Sequence, residues 1–197
     1  LLVLVSATAA LAFVDGSAGS AFLKLGAGAR AAALGGTYVG IADDVYAARW
    51  NPAGLAQLTS AQAAAQHMGE FADVTHEYLA LAVPYGANLT FGADIIATQT
   101  DDNYRTELQD LSTFTNHDLA IGFNAAWAAS PHLALGISGR YLEEHLAEAS
   151  AHGFAVDLGL LYRQSRDLSL GLSVLNLGPK ITFIREAEDL PMVLKGG

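Results

Sequence analysis

An alternation of large and small side chains after Leu58 is the feature that most constrains how this chain can fold. From His117 to Ala129, large apolar residues alternate with small or polar ones. Successive side chains of a β-strand point to opposite faces, so this pattern predicts a strand with two chemically different faces. The pattern recurs over 89–95, 132–141, 153–163 and 168–174, and more weakly over 61–69 and 75–85. The sequence therefore predicts about seven strands, and residues 190–194 look like the start of an eighth.

The two predicted faces differ in a way that is unusual for a soluble sheet. One face carries large apolar residues such as Leu119, Ile121 and Phe123, whereas the other is rich in Gly, Ala, Ser and Asn. A soluble sandwich buries its large residues in a shared core and exposes a polar face. The small-residue face suits contact with another chain segment, and we expect Gly136→Ser and Ala120→Ser there to be tolerated. A soluble β-sandwich adhesin is the alternative, and the apolar outer faces count against it.

Composition narrows the class of protein. Hydrophobic residues make up 52% of the chain and charged residues only 15%, with a mean hydropathy of +0.30. That is too apolar for an ordinary soluble surface, yet no apolar stretch is long enough for a transmembrane helix. High apolar content without helical spans is typical of transmembrane barrels. We therefore predict an all-β fold, an antiparallel transmembrane β-barrel of which this chain supplies seven or eight strands.

The predicted connections alternate in length. Tight turns at 86–88, 130–132 and 165–167 alternate with longer predicted links at 70–74, 100–116, 146–151 and 179–189. Outer-membrane barrels have short periplasmic turns and longer extracellular loops. The alternation is the strongest support from the residues for a barrel, and with it for the outer membrane of a Gram-negative-type bacterium.

The first 58 residues differ from the rest. Residues 1–12 are predicted to be the remnant of a signal peptide, because they are apolar and Ala10-Leu11-Ala12 offers a cleavage site before Phe13; a buried strand or helix is the alternative. Residues 13–58 have many glycines and no strand period, which fits a plug packed closely inside the barrel. Residues 59–197 hold the barrel strands. Asn51-Pro52 is either a helix start capped by Asn or a simple turn.

Three segments carry a family likeness. They are residues 15–36 (DGSAGSAFLKLGAGARAAALGG), 42–55 (ADDVYAARWNPAGL) and 174–180 (VLNLGPK). The chain resembles the PorV/PorQ family, within the superfamily of FadL-type long-chain fatty-acid transporters. The resemblance implies a fourteen-stranded barrel with a lumenal N-terminal plug. It also implies a role in type IX-like protein secretion or surface attachment or, alternatively, in uptake of hydrophobic molecules such as long-chain fatty acids.

Two groups of residues are the candidate sites. The plug motif comprises Arg30, Gly35, Gly36, Asp43, Asp44, Trp50, Asn51, Pro52 and Ala53. The predicted lumen-facing residues are Asp94, Asn124, Arg140, Asp157 and Arg163. These wall residues would line a passage or tether the plug, with Arg30, Asp43 and Arg49 as the plug's charged groups. Aromatic residues toward strand ends predict a girdle at the bilayer interface, with ordinary strand composition as the alternative; they are Tyr78, Tyr85, Trp127, Tyr141 and Tyr162.

Nothing in the sequence predicts an enzyme or a cofactor. The adjacent carboxylates at 43–44, 101–102 and 143–144 would point to opposite faces on a strand, and a calcium contact at 101–103 lacks the full ligand spacing. The six histidines have no zinc spacing, residues 26–31 lack the third glycine of a nucleotide loop, and no Ser-His-Asp order is evident. The chain has no cysteine, which excludes thiol chemistry and disulfides.

The partners follow from charge and predicted location. A net charge of −10 argues against nucleic acid, because phosphate binding needs clustered Lys and Arg. We expect outer-membrane lipid as the surrounding medium, and secreted cargo proteins or hydrophobic small molecules as ligands.

Overall fold

A computed structural model of the protein describes residues 11–12, 19–69, 74–106, 109–146, 149–165, 167–183 and 186–197. Residues 1–10 and 13–18 lie outside the described residues, and with them most of the predicted signal peptide and its cleavage site before Phe13. The first residues of the predicted plug, 13–18, lie outside as well.

The chain forms an antiparallel sheet, which confirms the all-β prediction. Its strands are β1 (Leu11–Ala12), β2 (Gln62–Gly69), β3 (Val74–Tyr85), β4 (Leu89–Thr106), β5 (Gln109–Ala128), β6 (Leu133–Leu146), β7 (Ala149–Arg163), β8 (Ser169–Leu177), β9 (Ile181–Phe183), β10 (Glu186–Glu188) and β11 (Val193–Gly196). Nine of them pair in the order β1-β11-β8-β7-β6-β5-β4-β3-β2, and β9 and β10 form a separate hairpin. From β2 to β8, each long strand pairs with its sequence neighbour. Among the described residues, β2 and β1 are the two edges of the sheet.

The predicted alternation of short and long connections is wrong at two places. The predicted link at 100–116 is mostly strand, because β4 runs to Thr106 and β5 begins at Gln109. The predicted link at 146–151 also shrinks, since β6 ends at Leu146 and β7 begins at Ala149. Polar residues such as those at 100–116 look like a loop in the sequence. They still pair as strands because a backbone ladder needs no apolar side chains.

Residues 19–58, the N-terminal segment, consist of short helices and turns. Two 3-10 helices (Ala21–Lys24 and Pro52–Gln57) flank α1 (Ala29–Ala33) and α2 (Ala47–Trp50). At the second 3-10 helix, Asn51 is the N-cap and Pro52 follows it, as one of the two interpretations predicted. Apolar side chains of the segment, among them Leu23 and Leu55, join one buried cluster with Tyr78 and Ile96 of the sheet. None of the helices within the described residues is long and apolar enough to cross a bilayer.

The N-terminal segment covers one face of the sheet, the packed face; the opposite face is the open face. On β3 the pattern is plain: Tyr78 is fully buried, whereas its neighbour Leu79 is 52% exposed. The large residues predicted to share a face lie on the open face, where Phe123 is 69% and Ile137 50% exposed. Side-chain burial is thus inverted relative to a soluble sheet, with the large apolar residues outside and the small and polar ones inside.

The strand register arranges the open face in rows. Val83, Phe91, Ala125, Ile137, Leu158 and Val174 lie side by side across six strands. Closer to one end of the strands, a second row consists of His67, Glu77, Ala97, Leu119, Glu143 and His152. The apolar band therefore ends at one level, where ionisable residues begin. On β6 it extends from Leu133 to Tyr141, about 27 Å along the strand at roughly 3.4 Å per residue.

Candidate functional site

A buried ion network lies on the packed face. Arg140 donates from Nη1 to Asp94 Oδ2 at 2.6 Å and from Nη2 to Asp157 Oδ2 at 3.2 Å. Asn124 Nδ2 donates to the other oxygen of Asp94 at 2.8 Å, and the backbone N–H of Asn176 donates to Asp157 Oδ1 at 2.6 Å. All three charged side chains are fully buried. Burying charges is costly unless they are paired and hydrogen-bonded, and this arrangement meets both conditions.

A glycine makes the network possible. Asp94 on β4 and Arg140 on β6 are separated by β5, where Gly122 is the register partner of both. A Cβ on Gly122 would lie 2.5 Å from Asp94 Oδ1 and 3.0 Å from Arg140 Nη1. The absence of a side chain therefore lets the guanidinium reach across an intervening strand. Four of the five predicted lumen-facing residues, all except Arg163, are buried on this face.

The N-terminal segment is held to the sheet by hydrogen bonds to its backbone. Asn51 Nδ2 donates to Leu160 O of β7 at 3.0 Å, and within the segment it also donates to Val39 O at 2.9 Å. Ser173 Oγ of β8 donates to Trp50 O at 2.9 Å. On β2, Gln66 Oε1 accepts from the N–H of Gly28 at 2.6 Å. These contacts attach the segment to strands at both sides of the sheet.

Pro52 and Ala53 of the plug motif pack directly on glycines of the sheet. A Cβ on Gly136 would lie 2.1 Å from the backbone nitrogen of Ala53. One on Gly159 would lie 2.2 Å from Asn51 Oδ1. The expectation that Gly136→Ser would be tolerated is therefore wrong, because backbone occupies the space that a side chain needs.

The predicted tether through Arg30 and Asp43 is also wrong. Arg30 pairs with Asp43 inside the N-terminal segment, with both side chains partly exposed, and Tyr38 donates to Asp43 Oδ1 at 3.1 Å. Burial alone would raise the pKa of Asp43, but the hydrogen bonds from Arg30 and Tyr38 outweigh it and lower that pKa. Asp44 caps the following turn by accepting from the N–H of Tyr46 at 2.9 Å. These charges stabilise a local turn and do not reach the wall.

Gly35 and Gly36 end α1. Their φ values are 64° and 77°, in the left-handed region that glycine adopts without strain. The N–H groups of Gly35 and Gly36 donate to Ala32 O at 2.9 Å and Ala31 O at 3.0 Å. The reversal brings Gly36 close to the ring of Trp50, whose Nε1 donates to Ala27 O at 2.7 Å.

Arg49 is a second buried cation near the Arg140 network, but it is not one of the residues that form its ion pairs. Its side chain is on α2 and only 4% of the residue is exposed. Burial first, and the nearby charge of Arg140 second, lower the pKa of Arg49 to about 10. The guanidinium therefore stays charged at neutral pH. Its Nε and Nη1 have no hydrogen-bond partner among the described residues, and the same holds for Oδ1 of Asn176.

Arg49 lines a cavity of about 260 Å³ between the N-terminal segment and the sheet. Leu175 and Val193 form apolar parts of its wall, and Asn176 and Lys195 contribute polar groups. Lys195 Nζ lies 4.1 Å from the centroid of the Trp50 ring. The sequence patterns did not single out Lys195, and Asn176 appeared only as part of the segment 174–180. Strand alternation alone does not tell which face Lys195 lies on. Its pairing with Ser173, a residue of the packed face, is what places it there.

One predicted wall residue and one predicted girdle residue differ in exposure from the others. Arg163 is exposed at the end of β7, but its Nη2 donates to Gln57 Oε1 of the N-terminal segment, the kind of contact expected of a wall residue that tethers the plug. Tyr78 is fully buried and stacks on Tyr46 at a centroid distance of 5.7 Å, so it cannot belong to a girdle on the open face. Tyr85 and Trp127 do lie at one end of the open face, exposed by 70% and 49%.

Histidines and carboxylates at the other end of the open face form pairs. His67 pairs with Glu77, and His145 lies 3.7 Å from Glu143. Glu143 and Glu144 point to opposite faces, as the strand period predicts, and Glu144 is buried beside Ser20. Within the ranges that the structure describes, no three His, Asp or Glu residues come together as a metal site. The side chains at 101–103 lie outside the described residues.

Comparison with models of known protein families found no match, and comparison with curated proteins found none. The likeness to the PorV/PorQ family therefore stays a prediction.

Proposed function

We propose that this protein is an outer-membrane β-barrel component of PorV/PorQ type, not an enzyme. In this proposal the open face contacts lipid and the N-terminal segment is the plug. The observation that carries the membrane part is the inverted burial, in which large apolar side chains are exposed in a band that ends at a row of ionisable residues. A soluble protein rarely exposes so large an apolar surface.

The dimensions of the band support the same conclusion. A transmembrane strand needs about 9–11 residues when tilted in the bilayer. The open-face apolar part of β6 runs from Leu133 to Tyr141, and on that face the strand continues with Glu143 and His145. Tyr85 and Trp127 at the opposite end fit the aromatic girdle of such barrels.

The secretion role rests on the likeness of the N-terminal segment to the family's plug. We propose that the protein assists secretion or surface attachment of cargo proteins. Uptake of hydrophobic small molecules is the second candidate, and the partly apolar cavity beside Trp50 favours it.

Two measurements test these proposals in order. First, the purified protein should need detergent for solubility and should insert into phospholipid vesicles with a β-rich circular dichroism spectrum. A monomer that is stable in buffer without detergent would overturn the membrane proposal. Second, inactivating the gene in its native bacterium should reduce surface-attached secreted proteins while leaving long-chain fatty-acid uptake unchanged. The reverse result would favour the transport role.

A further inference from the structure

The cavity beside Trp50 carries an excess of positive charge. Arg49, Arg140 and Lys195 interact with one another or with the same two carboxylates, those of Asp94 and Asp157. Three cations against two carboxylates leave one positive charge uncompensated in this group. One uncompensated charge matters here because Arg49 is almost wholly buried, and a buried charge is costly without a partner.

The surplus charge faces the cavity. The carboxylates are occupied by Arg140, Asn124 and the backbone of Asn176. Arg49 has two buried nitrogens, Nε and Nη1, without partners among the described residues, and it lines the cavity together with Lys24 and Lys195. Repulsion between Lys195 and Arg49 would be relieved by an anion bound near both of them.

The other residues of the cavity wall indicate which kind of group is attached to the anion. The Trp50 ring, Leu175 and Val193 offer apolar surface, and Oδ1 of Asn176 is an acceptor without a donor among the described residues. A cavity of about 260 Å³ is too small to enclose a long acyl chain and fits a short chain or a single ring.

We propose that this cavity is a binding site for a small amphipathic carboxylate, whose carboxylate contacts Arg49 and Lys195 and whose short apolar part packs on Trp50. The site depends on the contact between the N-terminal segment and the sheet. It does not depend on whether the protein serves secretion or uptake, and no covalent step is involved.

Tryptophan fluorescence can test the site in detergent-solubilised protein. The chain has two tryptophans, so Trp127→Phe leaves Trp50 as the reporter inside the cavity. The probe is 4-phenylbutyrate, and its uncharged partner is 4-phenylbutyramide. We expect the acid to cause a saturable change in Trp50 fluorescence. The amide should bind about tenfold more weakly or worse, since a hydrogen bond to a charged group is lost.

Matched variants separate a site from general charge attraction. Lys195→Gln should weaken binding of the acid several-fold, and Arg49→Gln should abolish it, whereas Arg49→Lys should retain part of it. Lys180→Gln removes the same charge from an exposed residue outside the cavity and should have no effect. Lys195→Gln serves as the decisive variant if Arg49→Gln does not fold.

Three results would overturn the proposal. Equal binding of the acid and the amide would show an apolar cavity without an anion site. An equal loss of acid binding in Lys180→Gln and Lys195→Gln would show that the acid is attracted by the overall charge of the protein and not by this site. Binding of oleate with none of 4-phenylbutyrate would show that the cavity is not a site for small ligands. None of these results bears on membrane insertion or secretion, which are tested separately.

Discussion

At the scale of single residues, the glycines of the packed face determine how closely its parts approach. Gly122 leaves the space through which Arg140 reaches Asp94. Gly136 and Gly159 leave space for the backbone of the N-terminal segment. A small residue on this face therefore does not mean that a larger one would be tolerated. At these positions glycine is required, because groups far away in the sequence occupy the space that a side chain would need.

Gly136→Ala should loosen the N-terminal segment from the sheet. The added methyl group would overlap the backbone of Pro52 and Ala53, and overpacking of this kind costs about 1–3 kcal/mol. Limited proteolysis should show faster cleavage within residues 19–58, and the urea midpoint should fall. Gly139→Ala is the control: it lies on the same strand, but on the open face, with nothing within 4 Å of the new Cβ. Equal effects of the two variants would contradict the packing described here.

At the scale of elements, the strands are longer than their apolar parts. The hairpin of β4 and β5 continues as paired strand well past the ionisable row. The apolar residues of each strand mark the part that contacts lipid in our proposal, and the polar continuation marks the part that contacts water. In this proposal, strand ends and membrane boundaries are therefore different positions on the same element.

Ile137→Arg should block insertion into lipid vesicles. Ile137 lies near the middle of the apolar band and is 50% exposed, and an Arg at the bilayer midplane costs about 2–4 kcal/mol. His145→Arg is the matched control on the same strand, because it lies beyond the ionisable row, where the cost falls to about 0–1 kcal/mol. Insertion can be followed by protease protection in vesicles over a urea series. If both variants insert as well as the unchanged protein, the open face does not contact lipid.

At the scale of the whole molecule, the packed face and the N-terminal segment depend on each other. The segment has short helices that would not be stable alone. The sheet, for its part, has a face of small and polar residues that could not form a core by itself. Their contact buries both, while the hydrogen bonds of Arg140 to Asp94 and Asp157 lie within the sheet.

Deleting residues 26–50 from the full-length protein should leave a sheet that still inserts but passes small solutes. The deleted residues include Trp50 and α1, α2, and thus much of the material on the packed face. A liposome swelling assay should show faster solute entry. The double variant Arg30→Gln, Asp43→Asn is the control, since it removes an exposed pair within the segment and should not increase swelling. Unchanged swelling after the deletion would mean that the segment does not obstruct a passage.

The sequence by itself determined the apolar parts of the long strands, their two faces and the distinct character of the first 58 residues. It could do so because alternation within a strand is local: Leu119, Ile121 and Phe123 share a face whatever the rest of the chain does. For the same reason the sequence could assign Asp94, Asn124, Arg140 and Asp157 to one shared face, which is the packed face of the sheet. The cap at Asn51 also depends only on neighbouring residues.

Only the tertiary structure decided which residues meet. The register fixes Arg140 opposite Gly122 and thereby gives it Asp94 as partner, which no spacing along the chain reveals. The same holds for Tyr78, whose burial beneath Tyr46 removes it from the predicted girdle. It also holds for Arg49, whose Nε and Nη1 have no partner among the described residues because Arg140 holds both carboxylates. Pairing between strands and contact with the N-terminal segment are long-range, so their consequences for charge and space are properties of the folded molecule.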